Sequence, residues 1–250
     1  MAGHTRETLF SIAEDVSRVM ARASKTDTGV YISTPVSYPS GASVVVRIDG
    51  DGDAFFVSDS GLGYQESDMI DAGHSFQSVA RSIIRDTGVS FDSRSFFVAR
   101  SSRADLAYVA AAIANFSQRA VIEALIKHEE RKADIQKKAL VSRLEDVFGI
   151  KNVEKDFEIR GASSVEWDVA AKVTSSNVVS IFDYVKPHKN SVVNTVAKFH
   201  DIARLPDAPK RIVTVSDKAK MGDLLGLLSQ AANVISLAET PNDAIRRLAA

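Results

Sequence analysis

Between Arg103 and Lys132 the chain runs for thirty residues, RADLAYVAAAIANFSQRAVIEALIKHEERK, without a glycine or a proline. Helix formers fill it throughout, so it reads as one long helix. The run constrains the fold because the chain changes rhythm across it. Before it come short strand-like segments joined by glycine-rich turns. After it the order restarts with a helix, three strand-like runs, and then helices alternating with strands. Such a chain divides into two domains, expected over residues 1–130 and 131–250, with the border between about residues 119 and 135. With 250 residues and 45% hydrophobic content, each half has enough apolar material for a core of its own.

In the first half a helix is predicted from Thr5, with Glu7 in its first turn and Leu9, Ile12, Val16 and Met20 along one face, ending around ASKTDTG. Strands follow at VYISTPV, SVVVRI and AFFVSD, after which SGLGYQESDMIDAG turns the chain through a glycine-rich corner. A helix at SFQSVARSIIRDTG leads into VSFDSRSFFVARS, read as a second hairpin and so completing a small antiparallel sheet. Within this half, VRIDGDGDAFFVSDSG places Asp49, Asp51 and Asp53 at alternate positions, as an EF-hand loop begins. That loop needs Gly at its sixth position and a bidentate Glu at its twelfth, but Ala54 and Ser60 stand there. Val- and Phe-rich flanks instead predict a β-hairpin, with Gly50 and Gly52 supplying positive φ and no tight calcium site.

The second half reads as a helix at ADIQKKALVSRLEDVFG, then strands at VEKDFEIRG, SVEWDVAAKV and NVVSIFDYVK. It continues with helix SVVNTVAKFHDIARL, strand RIVTVS, helix MGDLLGLLSQAA, strand NVISL and a last helix PNDAIRRLAA. Helix, three-strand meander, helix, strand resembles the order of the restriction-endonuclease-like core. The expected fold class is therefore α+β: an N-terminal antiparallel sheet with helices, and a C-terminal α/β nuclease-like core with a mixed sheet. A second resemblance lies in ISTPVSYPSGASVVVRI, FFVSDSGLGY and TGVSF, which together look like a bacterial and phage family known as a domain of unknown function. The stretch FDYVKPHKNSVVNTVAKFHDI looks like the uncharacterised domain that often accompanies it. The resemblance implies a bacterial or phage origin and identifies no chemistry.

Formal charge is −1, but it is unevenly spread: residues 1–118 carry 10 basic against 14 acidic side chains, and residues 151–250 carry 14 against 12. The mildly basic C-terminal half permits contact with phosphate. Absence of cysteine removes disulfides, thiolate nucleophiles and Cys-based zinc sites. No apolar run approaches bilayer length and the N-terminus lacks a basic segment followed by an apolar one, so a cytoplasmic protein with no membrane partner is expected.

Enzymes with the nuclease-like core hold Mg²⁺ on an Asp of the second strand and an acid of the third, with a Lys two residues beyond that acid helping to activate water. Asp168 in EWDVAAK stands for the first acid and Asp183 in IFDYVK for the second; Lys186 is three residues on and should face away. A bulge at Tyr184 or Val185 would restore the register, or Lys172, on the face of Asp168, would substitute; Glu145 or Glu158 would add a metal ligand. The expected domain is nuclease-like but catalytically silent. It is expected to bind nucleic acid or a protein that handles it, with Mg²⁺ implied only for an intact site. An active Mg²⁺-dependent nuclease and a non-enzymatic protein-binding modulator are the alternatives. In KPHKNS, Lys186, His188 and Lys189 gather before a helix N-terminus and form the best anion-binding candidate. The same residues read equally as a polar loop capped by Asn190 or Ser191. His74, His128 and His200 lack partners at metal-ligand spacing, Ser60 lacks nucleophile-elbow spacing, and Trp167 is assigned to the core.

Overall fold

The computed structural model describes residues 5–249, which form two compact units divided after Glu129. In the first, helix α1 (Arg6–Val19) begins at Thr5, whose hydroxyl accepts from the Thr8 amide at 3.3 Å. The helix stops earlier than its sequence pattern suggests, because Arg22–Thr26 is a strand, β1, fully exposed and paired antiparallel with β2 (Gly29–Ser37). Alternation cannot reveal a strand that buries neither face, which is why β1 escaped notice. Strands β3 (Ser43–Asp51) and β4 (Ala54–Ser58) form the expected hairpin, with Asp51 opposite Ala54. Gly52 sits in its turn at φ 63°, but Gly50 lies within β3, where an added Cβ would meet the Phe55 ring at 2.7 Å. Asp49 is ion-paired with Arg47.

The glycine-rich corner is a helix, α2 (Leu62–Asp68), and α3 (Gly73–Ile83) follows. Strands β5 (Ser90–Asp92) and β6 (Ser95–Ser101) make the second hairpin. The sheet order is β1-β2-β3-β4-β6-β5, antiparallel throughout. One face of it packs Val44, Val46, Val57 and Phe96 against Phe76, Val79 and Ala80 of α3 and Ile113, Ala114 and Val121 of the next helix.

That helix, α4 (Leu106–Phe148), is 43 residues long. It joins into one element the two helices expected on either side of Lys132, since no helix breaker occurs before Gly149. By length and composition alone α4 is long and apolar enough to cross a bilayer, a test that the core helix of a soluble protein also passes, and 39% of its most apolar stretch is buried in the protein. Between Ala124 and Leu140 it buries no residue, and the next buried side chains, Leu140, Leu144 and Val147, belong to the second core.

The second unit continues with β7 (Val153–Arg160), β8 (Glu166–Ser175) and β9 (Val178–Tyr184), an antiparallel meander. Helix α5 (Lys189–Ile202) leads to β10 (Lys210–Val215), α6 (Leu224–Ser229), β11 (Asn233–Ser236) and α7 (Asn242–Ala249). The order β11-β10-β9-β8-β7 gives a mixed sheet, with β9, β10 and β11 parallel. One face packs on α4 and α7 through Leu144, Phe182, Ile212 and Ile245. The other packs on α5 and α6 through Val169, Ile181, Phe199, Val213 and Leu228. The chain is thus an α+β protein with an antiparallel N-terminal sheet and a mixed C-terminal sheet.

In the first unit a carboxylate lies wholly inside. Asp59 accepts from the amides of Phe96 at 2.9 Å and Gly61 at 3.1 Å, and from Ser117 Oγ of α4 at 2.7 Å. Ser117 in turn shares a 2.8 Å hydrogen bond with the Tyr38 hydroxyl. Burial pushes the Asp59 carboxyl above the ordinary carboxylate range, against the hydrogen bonds that favour its charge. A group whose folded pKa is raised contributes stability below its unfolded pKa and loses it as pH rises through the folded one.

Two outcomes follow from this architecture. Limited trypsinolysis should cut first at Lys127, Arg131 or Lys132 and leave two resistant fragments, each with one core; a first cut inside either sheet would contradict the division. Asp59→Ala should cost about 3 kcal/mol by stranding two amides and a hydroxyl, whereas Asp59→Asn, which can still accept both amides, should cost far less. Urea titrations above the carboxylate range should show the wild type losing stability with rising pH relative to Asp59→Asn; equal pH dependence would refute the buried-charge account.

Candidate functional site

In the second unit a cavity of about 660 Å³ opens where β8 and β9 part. Their pairing holds from Ser175↔Val178 to Ala171↔Phe182 and goes no further. The cause lies in β8. Trp167 and Val169 pack on the α5 side, yet Ala170 and Ala171 both pack on the α4 side, so the strand's alternation slips by one residue there. On the neighbouring strand Asp156 adopts φ 46°, a left-handed conformation.

This slip decides where the two acids go. Asp168, between Trp167 and Val169, is turned to the α4 side, where Glu130, Asp134 and Lys137 line the cavity. Asp183, between Phe182 and Tyr184 of the α4-side core, is turned to the α5 side and is buried. The two acids line the same cavity from opposite faces of the sheet. Asp168 is exposed; Asp183 Oδ1 accepts from the Tyr184 amide at 2.9 Å, and its backbone carbonyl accepts from Thr214 Oγ1 at 3.0 Å.

The remaining oxygen of Asp183 is held by a residue the sequence reading missed. Lys198 of α5 donates to Asp183 Oδ2 and, at 2.6 Å, to the backbone carbonyl of Asp168. Both side chains are largely inaccessible, 13% exposed for Lys198 and 7% for Asp183. A pattern in the sequence could have found it. Ser191, Asn194, Thr195 and Lys198 recur at helical spacing and all line the cavity, beside the buried stripe of Val192, Phe199 and Ile202.

The other candidates fall elsewhere. Lys186 is half-buried on the cavity wall, beyond the end of β9. The β9–β10 pairing is regular through Tyr184↔Thr214, and the Val185 amide continues it to Thr214 O at 3.0 Å. No bulge therefore brings Lys186 round to the face of Asp183. Lys172 does not substitute, because the slip places it away from Asp168, with its ammonium 3.1 Å from Glu154 and over the Phe157 ring. Glu145 is paired with Lys155 at 2.8 Å, and Glu158 lies opposite Asp168 on β7 without lining the cavity. His188 is the N-cap of α5 and lends no side-chain bond to it; Lys189 opens the helix, and Asn190 and Ser191 lie inside its first turn and do not cap it. Lys186, His188 and Lys189 form no ion pair among the described residues, and the latter two are exposed.

Trp167 is partly buried, packing against the α5-side core and lining the cavity, and is fixed by Asp201 of α5. The Asp201 carboxylate accepts from Ser163 Oγ at 2.6 Å and from the Trp167 indole N–H at 2.8 Å. The Ser163 hydroxyl, then the indole, hold this carboxyl below its ordinary range. Gly161 is needed beside them, since a Cβ there would lie 1.9 Å from Asp201 Oδ2.

Mg²⁺ does not fit this arrangement. The carboxylates that would hold it leave opposite faces, one oxygen of Asp183 is bound by an ammonium, and among the described residues no three His, Asp or Glu side chains converge as a metal site. No family model matches the chain, and neither a curated protein nor a solved structure matches it.

The Lys198–Asp183 pair is open to a direct test. Lys198→Met should destabilise the protein by about 3 kcal/mol, because a buried carboxylate loses its counter-charge. Adding Asp183→Asn to Lys198→Met should recover much of that loss. Chemical denaturation of the three proteins measures it, and additive losses would show that the pair is not coupled.

Proposed function

We propose that the second unit is a nuclease-like scaffold that binds nucleic acid, or a complex that handles it, without cutting. The observation that carries this reading is the Lys198–Asp183 pair beside a turned-away Asp168. A buried carboxylate already neutralised by a lysine has no charge to offer a metal ion, and phosphodiester hydrolysis on this kind of core depends on that ion. What remains is the scaffold with its strand-end loops. Lys186, His188 and Lys189 follow the carboxyl end of β9, and Lys218 and Lys220 follow that of the parallel strand β10. Ligands of open α/β sheets gather at this edge. The amides at the start of α5 add a partial positive charge beside Lys189. The cavity wall carries Glu130, Asp134, Glu166, Asp168 and Asp183 against Lys137, Lys186 and Lys198, an acidic balance ill suited to phosphate, so contact falls to the strand-end loops, with Lys186 at the cavity's edge.

Fluorescence anisotropy with labelled DNA and RNA tests the reading. Lys186→Ala with Lys189→Ala should weaken binding and lower the salt slope by about 2. Lys151→Ala with Arg247→Ala should do neither. Incubation with Mg²⁺ or Mn²⁺ should leave the nucleic acid intact. Divalent-dependent cutting abolished by Asp168→Asn would overturn the reading and make Lys198 the nuclease lysine. No binding at low salt would favour a protein partner.

A further inference from the structure

At the other edge of the mixed sheet lies a cavity of opposite charge. Strands β10 and β11 run parallel, and their first residues, Lys210 and Asn233, open onto a space of about 540 Å³. The turn after α6 adds Ser229 and Gln230 to its wall, and the last turn of α7 adds Arg247. Among the described residues that line it, Lys210, Arg211 and Arg247 are cationic and none is acidic. A small, mostly polar cavity with convergent cations suits a compact anion and offers little to an apolar ligand.

Arg211 is fixed before any ligand arrives. Half-buried in β10, it donates from Nε to the Ala231 carbonyl at 3.2 Å and from Nη1 to the Pro209 carbonyl at 3.0 Å. Both acceptors are neutral, so they orient the guanidinium and leave its charge uncompensated. Neither Arg211 nor the exposed Arg247 forms an ion pair among the described residues. The carboxyl ends of α6 and α7 lie nearby, but each offsets only about half a charge, which leaves a positive balance from the two guanidinium groups alone. A planar fork held in place meets an oxyanion two oxygens at a time and loses little freedom in doing so.

We propose that this cavity binds a phosphate dianion, either the free ion or the monoester of a small polar molecule. Two guanidinium groups match a doubly charged oxyanion better than a single carboxylate. The amides of Gln230 and Asn233 both donate and accept, and so suit hydroxyl groups on the body of an ester. No aromatic ring lines the cavity among the described residues, so a nucleobase finds no stacking surface there. The site is also distinct from the lysine loop. That loop follows the carboxyl ends of the parallel strands, whereas the cavity lies at their amino ends, separated from it by the six residues of β10, about 20 Å of strand.

Titration calorimetry of the full chain at low salt, with glycerophosphate, inorganic phosphate and glycerol, tests the proposal. The two phosphates should bind once per chain with Kd on the order of 1 mM or tighter, and glycerol should not bind. Tighter binding of glycerophosphate would assign the amides to the ester's hydroxyls, and equal binding would assign the site to the free ion. Arg247→Gln, which removes an exposed side chain, should weaken phosphate binding about tenfold. Arg211→Lys keeps the charge and loses the fork, and should weaken it by a similar factor in a protein whose melting temperature shows it folded. No binding up to about 10 mM, or equal affinity in both variants and the wild type, would overturn the proposal. Lys186→Ala with Lys189→Ala should leave phosphate binding intact, and Arg247→Gln should leave nucleic-acid anisotropy unchanged, so this claim and the nucleic-acid reading fail separately.

Discussion

A one-residue slip in the alternation of β8 governs the chemistry of the second unit. Had Ala170 pointed to the α5 side, as strict alternation from Lys172 requires, Asp168 would share a face with Asp183 and the two carboxylates would converge. Because Ala170 and Ala171 both enter the α4-side core, the acids diverge and the pairing of β9 with β8 ends at Phe182. Small side chains make the slip tolerable, since two alanines fit where two larger residues in succession would collide. Lys198 then spans the opening, tying α5 to the carboxylate of β9 and to the carbonyl of β8. A buried ion pair of this kind adds little net stability over an apolar packing, but removal of one partner is costly, so its effect is to fix one arrangement.

The first unit solves a similar problem differently. There the buried carboxylate of Asp59 has no counter-ion and is satisfied by amides of the following turn and of β6, and by Ser117 of α4. Gly63 belongs to the same device, for a Cβ would come within 2.4 Å of Ser117 Oγ. This network locks the turn after β4 against the helix. The turn also carries Ser60, so the interior network and the polar wall of a cavity on the outer sheet face share one short segment, SDSGLG. A glycine-rich stretch that offers no nucleophile or phosphate loop is accounted for as a fixed turn between a packed core and the outer sheet face.

Much of this was legible in the sequence. Val- and Phe-rich runs in SVVVRI, AFFVS and SFFVARS, with turn residues between, mark the hairpins, and the order after Gly149 marks the mixed sheet. Asp168, Asp183 and Lys186, singled out in the sequence as candidate metal-site residues, all line one cavity, although the two acids leave opposite faces of the sheet. What escaped depends on contacts between distant segments. The continuity of α4 was hidden by the charged run KHEERK, which mimics a helix end although nothing in it breaks a helix. The slip at Ala170–Ala171 leaves no mark in a pattern where both neighbours are apolar. Lys198 lies 15 residues from Asp183 and reaches it only because α5 folds back along the sheet. Phe56 and Phe97 look like core residues in sequence, and only the register of β4 with β6 shows that they share the outer face.

The central claim is that Lys198, and not a metal ion, neutralises Asp183 beside a diverted Asp168. A crystal soaked in Mn²⁺ and measured at the manganese absorption edge tests it most directly. The account predicts no anomalous peak between the two aspartates and density for the Lys198 ammonium against Asp183. A manganese ion coordinated by both carboxylates, with Lys198 displaced, would contradict it.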